Sequence, residues 1–305
     1  MEKSLAKKIG SHWSSHKPLE RIRWWESPTI VRYVNSIVDG KYVDGRSSGL
    51  INRTKKLLKD RLPLEKGISV GCGVGLKEMN LIQQGIVKSF DLFELSSARI
   101  DHGRILAKKN GLEKNITFWE GNAFSMVTEK ETYDLVHWNN SLHHMMDTEA
   151  AVSWSKQVLK TEGLFYMDDF VGANRFQWPE RQLEIASDVR KSLIGTKYLR
   201  NPHSNHFFSR RRIDWRVKRP KHKHIADPSE AADSERILAS IEKYFNDPEI
   251  IITGGVIYHL ALSDVIYNFD ENNEVDLKLL KELLTLEKSC IEEGQTHYAV
   301  SLCLK

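Results

Sequence analysis

From residue 64 onward the chain alternates short apolar runs of strand length with longer amphipathic runs, and no other feature narrows its fold as far. ISVG (68–71), KSFDLFEL (88–95), NITFWEG (115–121), YDLVHWN (133–139) and GLFYMDDFV (163–171) read as five strands rich in β-branched and aromatic residues. The gaps between them have helix length, which predicts a largely parallel sheet joined by crossover helices. The alternation stops at 172–235, a stretch rich in Arg, His, Asn, Trp and Phe with turn signals at Asn201-Pro202 and Asp227-Pro228. It resumes with a helical run at 235–245, a strand at 249–260, a helix at 276–294 and a last strand at 296–304. Upstream, Trp24, Trp25, Ile30, Val31, Val34 and Val38 recur at helical spacing, and a second amphipathic run stops at Pro63. The expected organisation is a helical segment 1–60 over the site, a core 61–171, an insertion 172–235 and the rest of the core sheet at 236–305.

Composition excludes several classes. With 40% hydrophobic and 28% charged residues the chain is ordinary for a globular protein, and no stretch supplies the ~20 apolar residues that a membrane span needs. Cys72, Cys290 and Cys303 lack metal-ligand spacing, so no metal site is expected from them. Their odd number, without an export signal, suits a reducing cytoplasm, the expected location. Residues 210–224 hold eight Lys and Arg against Asp214 alone, inside a chain whose net charge is only +4. Basicity is thus local: a solvated loop, or a surface for an anionic partner.

The first strand runs into Gly71-Cys72-Gly73-Val74-Gly75 and then a helix. Such a turn lets the backbone approach a ligand and leaves amide groups free at a helix N-terminus. A dinucleotide fingerprint would place a sixth-position glycine where Leu76 stands, which counts against a nicotinamide enzyme. Glu94 closes the second strand, at the distance from the glycines where an acid accepts hydrogen bonds from ribose hydroxyls.

Together these residues resemble the class I S-adenosylmethionine-dependent methyltransferases. ISVGCGVG is similar to the family's first motif, ELSSARI to its ribose motif, EGNAF (120–124) to its adenine segment, YDLVHWNNSLHHM to its fourth strand and sequel, and LKTEGLFYMDD to its fifth-strand motif. The resemblance implies a Rossmann-like α/β fold: a seven-stranded, mostly parallel sheet ending in an antiparallel C-terminal hairpin. It implies S-adenosylmethionine as cofactor, held by Gly71, Cys72, Gly73, Gly75, Glu94, Leu95, Asn122, Ala123 and Asn139. The sequence departs from the family where Ser69 replaces an acid, Asn122 the commoner Asp, and Thr161-Glu162-Gly163 the usual Pro-Gly-Gly.

The chemistry implied is in-line attack of an acceptor atom on the sulfonium methyl, which asks the protein mainly to align reactants and exclude water. A hydroxyl acceptor also loses a proton, and His144, His143 and Asp168, beyond the carboxyl ends of strands four and five, are the candidate catalytic groups. The insertion is expected to act as a lid for a small-molecule or glycan-type acceptor, with Arg175, Trp178, Arg181 and His206 as binding residues. Two alternatives stay open: an RNA methyltransferase that tracks phosphates with 210–224, and a partner protein of this fold without catalysis.

Overall fold

The computed structural model describes residues 3–15, 23–200, 213–221 and 227–305. Seven strands form one sheet in the order β3-β2-β1-β4-β5-β7-β6. They are β1 (Leu64–Val70), β2 (Val87–Glu94), β3 (Ile116–Glu120), β4 (Tyr133–Asn139), β5 (Leu159–Phe170), β6 (Glu249–Gly254) and β7 (Tyr298–Leu304). The pairings of β1 with β2 and β4, of β2 with β3 and of β4 with β5 are parallel, whereas β7 runs antiparallel between β5 and β6. This is the expected Rossmann-like sheet with its C-terminal hairpin.

The N-terminal segment contributes α1 (Lys3–Ser15), α2 (Pro28–Asp39) and α3 (Ser48–Leu58). Ser27 caps α2 by accepting from Ile30 N, Pro28 fills its first turn, and Gly40 ends it in the left-handed region. The crossovers are α4 (Leu76–Gln83), α5 (Ser97–Lys109), the single turn α6 (Ala123–Met126) and α7 (Thr148–Val158). The insertion supplies α8 (Glu180–Ser192), and α9 (Ile237–Tyr244) and α10 (Glu274–Glu292) complete the chain. Central strands are buried on both faces: Ile68, Leu92, Val136 and Phe165 expose none of their surface, as a sheet covered by helices requires. Among the described residues no helix is long and apolar enough to cross a membrane.

The strand expected at 249–260 ends at Gly254, and Val256–Ala261 form a turn of π-helix instead. The cause is Glu287 of α10, fully buried, whose carboxylate accepts from the backbone N–H of Gly255, Val256, Ile257 and Tyr258 at 2.8–3.0 Å. These are the donors that a helix start leaves without partners. Glycine is required at 254 because φ is 92° and a Cβ would lie 2.7 Å from Glu287 Cγ. Burial raises the pKa of Glu287 and the four donors oppose that rise. Replacing Glu287 by Ala strands several buried donors and should lower unfolding stability by on the order of 3 kcal/mol, a shift that denaturant titration of the variant beside the parent protein measures.

Candidate active site

The glycine turn after β1 is set by what lies beneath it. Gly71 has φ 68°, and a Cβ there would sit 3.1 Å from Ser141 Cβ, so a side chain at 71 would push into the turn after β4. Glu94, 6% exposed, holds the turn against the end of β2: its Oε2 accepts from Gly73 N at 2.9 Å, and its Oε1 from Leu95 N at 2.8 Å and Ser96 N at 3.0 Å. Burial raises its pKa against the pull of these amides and of Arg99. Where the resemblance expects an acid at 69, Ser69 instead meets an acid from another element. Ser69 Oγ donates to Glu78 Oε1 of α4 at 2.7 Å, and His137 Nδ1 of β4 lies 2.9 Å from the same oxygen. Burial opposes the charge on Glu78, but His137 and Ser69 outweigh it and lower its pKa.

Beside this turn lies a cavity of about 520 Å³ whose wall includes Gly71, Glu94 and Leu95. Asn122, Ala123 and Phe124 of the segment after β3 continue the wall, with Met145 and Trp154. Asn122 also caps α6, its Oδ1 accepting from Phe124 N at 3.2 Å, which leaves the side-chain amide N–H donors and a second lone pair for a ligand. Ile9 and Trp13 of α1 complete the wall from the N-terminal segment, and the Arg99 guanidinium stacks 4.1 Å from the Trp13 ring. Ser141, His144 and Ser229 carry it to a polar cluster.

That cluster is built on Asp169 of β5, which is fully buried. Oδ2 accepts from Ser141 N and Leu142 N at 2.8 Å each, and Oδ1 from Phe170 N at 2.8 Å. His143 Nδ1 lies 2.5 Å from Oδ1, and its Nε2 lies 3.5 Å from Glu230 Oε1. Burial works against charge on His143, yet the flanking Asp169 and Glu230 raise its pKa to about 10. Glu230 resists its own burial through His143 and His144, and its pKa falls to about 2. His144 sits with Nδ1 3.1 Å from Ser229 Oγ, and burial together with the charge on His143 lowers its pKa to about 4. The environment therefore favours charge on His143 and the neutral ring at His144.

Of the expected site residues, Gly71, Glu94, Leu95, Asn122, Ala123 and His144 share the cavity wall. Cys72, Gly73 and Gly75 build the turn itself, and Gly73 donates to Glu94. Asn139 lies under it: its carbonyl accepts from Lys77 and its Oδ1 from Asn140, while Asn140 takes the place on the wall. Asp168 points to the sheet face opposite its neighbour, as alternate strand residues must. There its Oδ2 accepts from Ser47 at 2.7 Å, so Asp169, not Asp168, meets the histidines.

The acceptor residues expected in the insertion are corrected further. Arg181 is 55% exposed and pairs with Glu293 on the outside of α8. Trp178, 5% exposed, stacks on His297 at 4.4 Å and belongs to the core. Arg175 is spent locally, donating to the carbonyl of Glu230 at 3.1 Å. His206 lies outside the described residues, as do 210–212 and 222–224 of the basic run. Within that run Lys218 pairs with Asp214 and Arg219 with Glu180. Asp227, Ser229 and Glu230 escaped the sequence reading, since an Asp-Pro-Ser-Glu stretch signals only a turn.

Comparison with known proteins agrees with this arrangement. Residues 64–202 match a family described as "Methyltransferase domain". Geranyl diphosphate C-methyltransferase from Streptomyces coelicolor A3(2) superposes with a TM-score of 0.51 at 12% identity, covering 98% of this chain and 97% of that one. A geranyl diphosphate methyltransferase structure gives 0.51 at 13% identity over 100% and 99% of the two chains. At this identity the likeness establishes the fold. The family match over residues 64–202, the sheet order and the glycine turn joined to Glu94 agree: this part of the chain is similar to a methyltransferase domain, and the whole has the fold of the solved methyltransferases it superposes on.

Proposed function

We propose that this protein methylates a hydroxyl oxygen of a small molecule. The observation that carries the reading is a single cavity wall that joins the ribose acid Glu94 to the neutral histidine His144. S-adenosylmethionine, when bound, supplies the activated methyl group. The residues present fit it. Glu94 offers a carboxylate to the ribose hydroxyls, Leu95 an apolar edge, and Asn122 an amide to the adenine. Phe124, Met145 and Trp154 give the adenine an apolar slot. Trp13 and Ile9 exclude water from above. A hydroxyl acceptor would meet the polar cluster of His143, His144 and Glu230, where the uncharged His144 ring has a lone pair to receive its hydrogen bond. A small acceptor also accords with the covering helix α1, which leaves a cavity rather than an open groove.

The direct test is production of S-adenosylhomocysteine from S-adenosylmethionine with a panel of hydroxyl-bearing small molecules, against amine-bearing counterparts; turnover confined to the amines would refute the oxygen assignment. Glu94→Ala should weaken S-adenosylhomocysteine binding by about 1–3 kcal/mol through lost charged hydrogen bonds, read by calorimetry, and an unchanged affinity would remove Glu94 from the ribose site. His144→Gln should reduce kcat by about 100-fold while leaving the affinity for S-adenosylhomocysteine as it was.

A further inference from the structure

His143 and His144 come from the turn after β4, whereas Glu230 comes from the far end of the insertion, yet one ligating atom of each lies within 4.8 Å of the others. We propose that these three side chains hold a divalent transition-metal ion whose remaining positions take oxygen atoms of the acceptor. The acceptor part of this proposal rests on the methyltransferase reading, and the metal site itself does not.

The spacing of one pair is that of ligands around a common ion. Two donors about 2.1 Å from a tetrahedral centre sit about 3.4 Å apart, and His143 Nε2 lies 3.5 Å from Glu230 Oε1. Each imidazole is also oriented in the way metal-bound histidines are, with the ring nitrogen that faces away from the site held by a carboxylate or hydroxyl. His143 Nδ1 is held by Asp169 at 2.5 Å. His144 Nδ1 is held by Ser229 Oγ at 3.1 Å, with Asp227 Oδ2 at 3.4 Å. With both Nδ1 atoms so engaged, the Nε2 atoms are the ones that face a ligand; an ion bound there displaces the Nε2 proton of His143 and takes the lone pair of His144, and the acceptor oxygen then meets the ion in place of the ring.

The backbone fixes the two segments to each other. Ala232 N donates to the carbonyl of His143 at 3.0 Å, and Arg175 N donates to that of Ala231 at 2.7 Å. Arg175 Nη1 donates to the carbonyl of Glu230 at 3.1 Å, so the acid is delivered on a braced turn rather than a free loop. An ion pair alone explains His143 between Asp169 and Glu230. It does not explain why a second imidazole, with its ring centroid 4.1 Å from the first, turns toward the same acid. Two nitrogens and one carboxylate oxygen select Mn²⁺, Fe²⁺, Co²⁺, Ni²⁺ or Zn²⁺ over the all-oxygen preference of Mg²⁺ and Ca²⁺. Because three protein ligands leave positions open, and His144 stands on the cavity wall, the open side can be reached from the cavity.

The test is equilibrium dialysis of the metal-stripped full chain against Mn²⁺ and Zn²⁺ with elemental analysis, repeated for Glu230→Gln, His144→Gln and Asp227→Asn. One equivalent per chain is expected for the parent protein. It should be lost from Glu230→Gln and His144→Gln, and bound about 10–100-fold more weakly by Asp227→Asn, which reaches the ion only through Ser229 and His144. Circular dichroism and the thermal melting of the same samples report that each variant is folded. Absence of stoichiometric metal in the parent, or equal binding by parent and folded ligand variants, overturns the site. Metal bound by the parent and lost from Glu230→Gln supports it whether or not S-adenosylhomocysteine binds, so the metal site and the methyltransferase reading fail separately.

Discussion

One buried carboxylate, Asp169, organises the end of the sheet where the chemistry must take place. A fully buried acid is costly unless its oxygens are satisfied, and here three backbone N–H groups and His143 satisfy them. The consequence is geometric. The turn that follows β4 is pinned to β5 at Ser141 and Leu142, so His143 and His144 emerge in fixed positions at the carboxyl ends of the strands. Burial raises the cost of charge on Asp169, and its donors outweigh that cost, keeping it ionised with a lowered pKa. That anion, together with Glu230, raises the pKa of His143, and the charge so favoured on His143 adds to the burial that lowers the pKa of His144.

Glu94 does for the other part of the cavity what Asp169 does for this one. Its carboxylate accepts from Gly73 across the sheet's first crossover and from the two amides that lead into α5. The glycine turn is therefore held by the same acid that the proposed function assigns to the ribose. Glu78, Ser69 and His137 form a second buried cluster under the turn, which sets an acid from α4 beside the serine of the first strand. Each part of the site thus rests on a buried acid whose partners are largely backbone or histidine, a scheme that trades burial cost for fixed orientation.

How much of this could be read beforehand follows from whether the cause is local. β4 spans Tyr133–Asn139 as the apolar run predicted, because every residue that defines it lies within it. β1 begins earlier than the run at 68, at Leu64, since the polar Glu65 and Lys66 obscure a segment that pairs along β2 from Leu64. The run from 249 to 260 is mostly apolar, yet it breaks at Gly254 because a carboxylate from α10 supplies a helix start there, and only the glycine pair hinted at it. The same reasoning separates the two halves of the site. Gly71 and Glu94 keep a fixed relation along one crossover and were legible. Glu230 and Asp227 reach the histidines only through the insertion's return path, while Arg175, Trp178 and Arg181 have suitable side chains in the wrong place. Helix α8 turns Arg181 to solvent and Trp178 into the core, and composition cannot report which face a residue occupies.

The account stands on the claim that the cavity beside Glu94 is a cofactor site of the S-adenosylmethionine type. Calorimetric titration of the full chain with S-adenosylhomocysteine, with NADH in the same buffer as the control, tests that most directly. Saturable binding of one S-adenosylhomocysteine per chain and no heat from NADH is the predicted result. Binding of NADH with none of S-adenosylhomocysteine would contradict it.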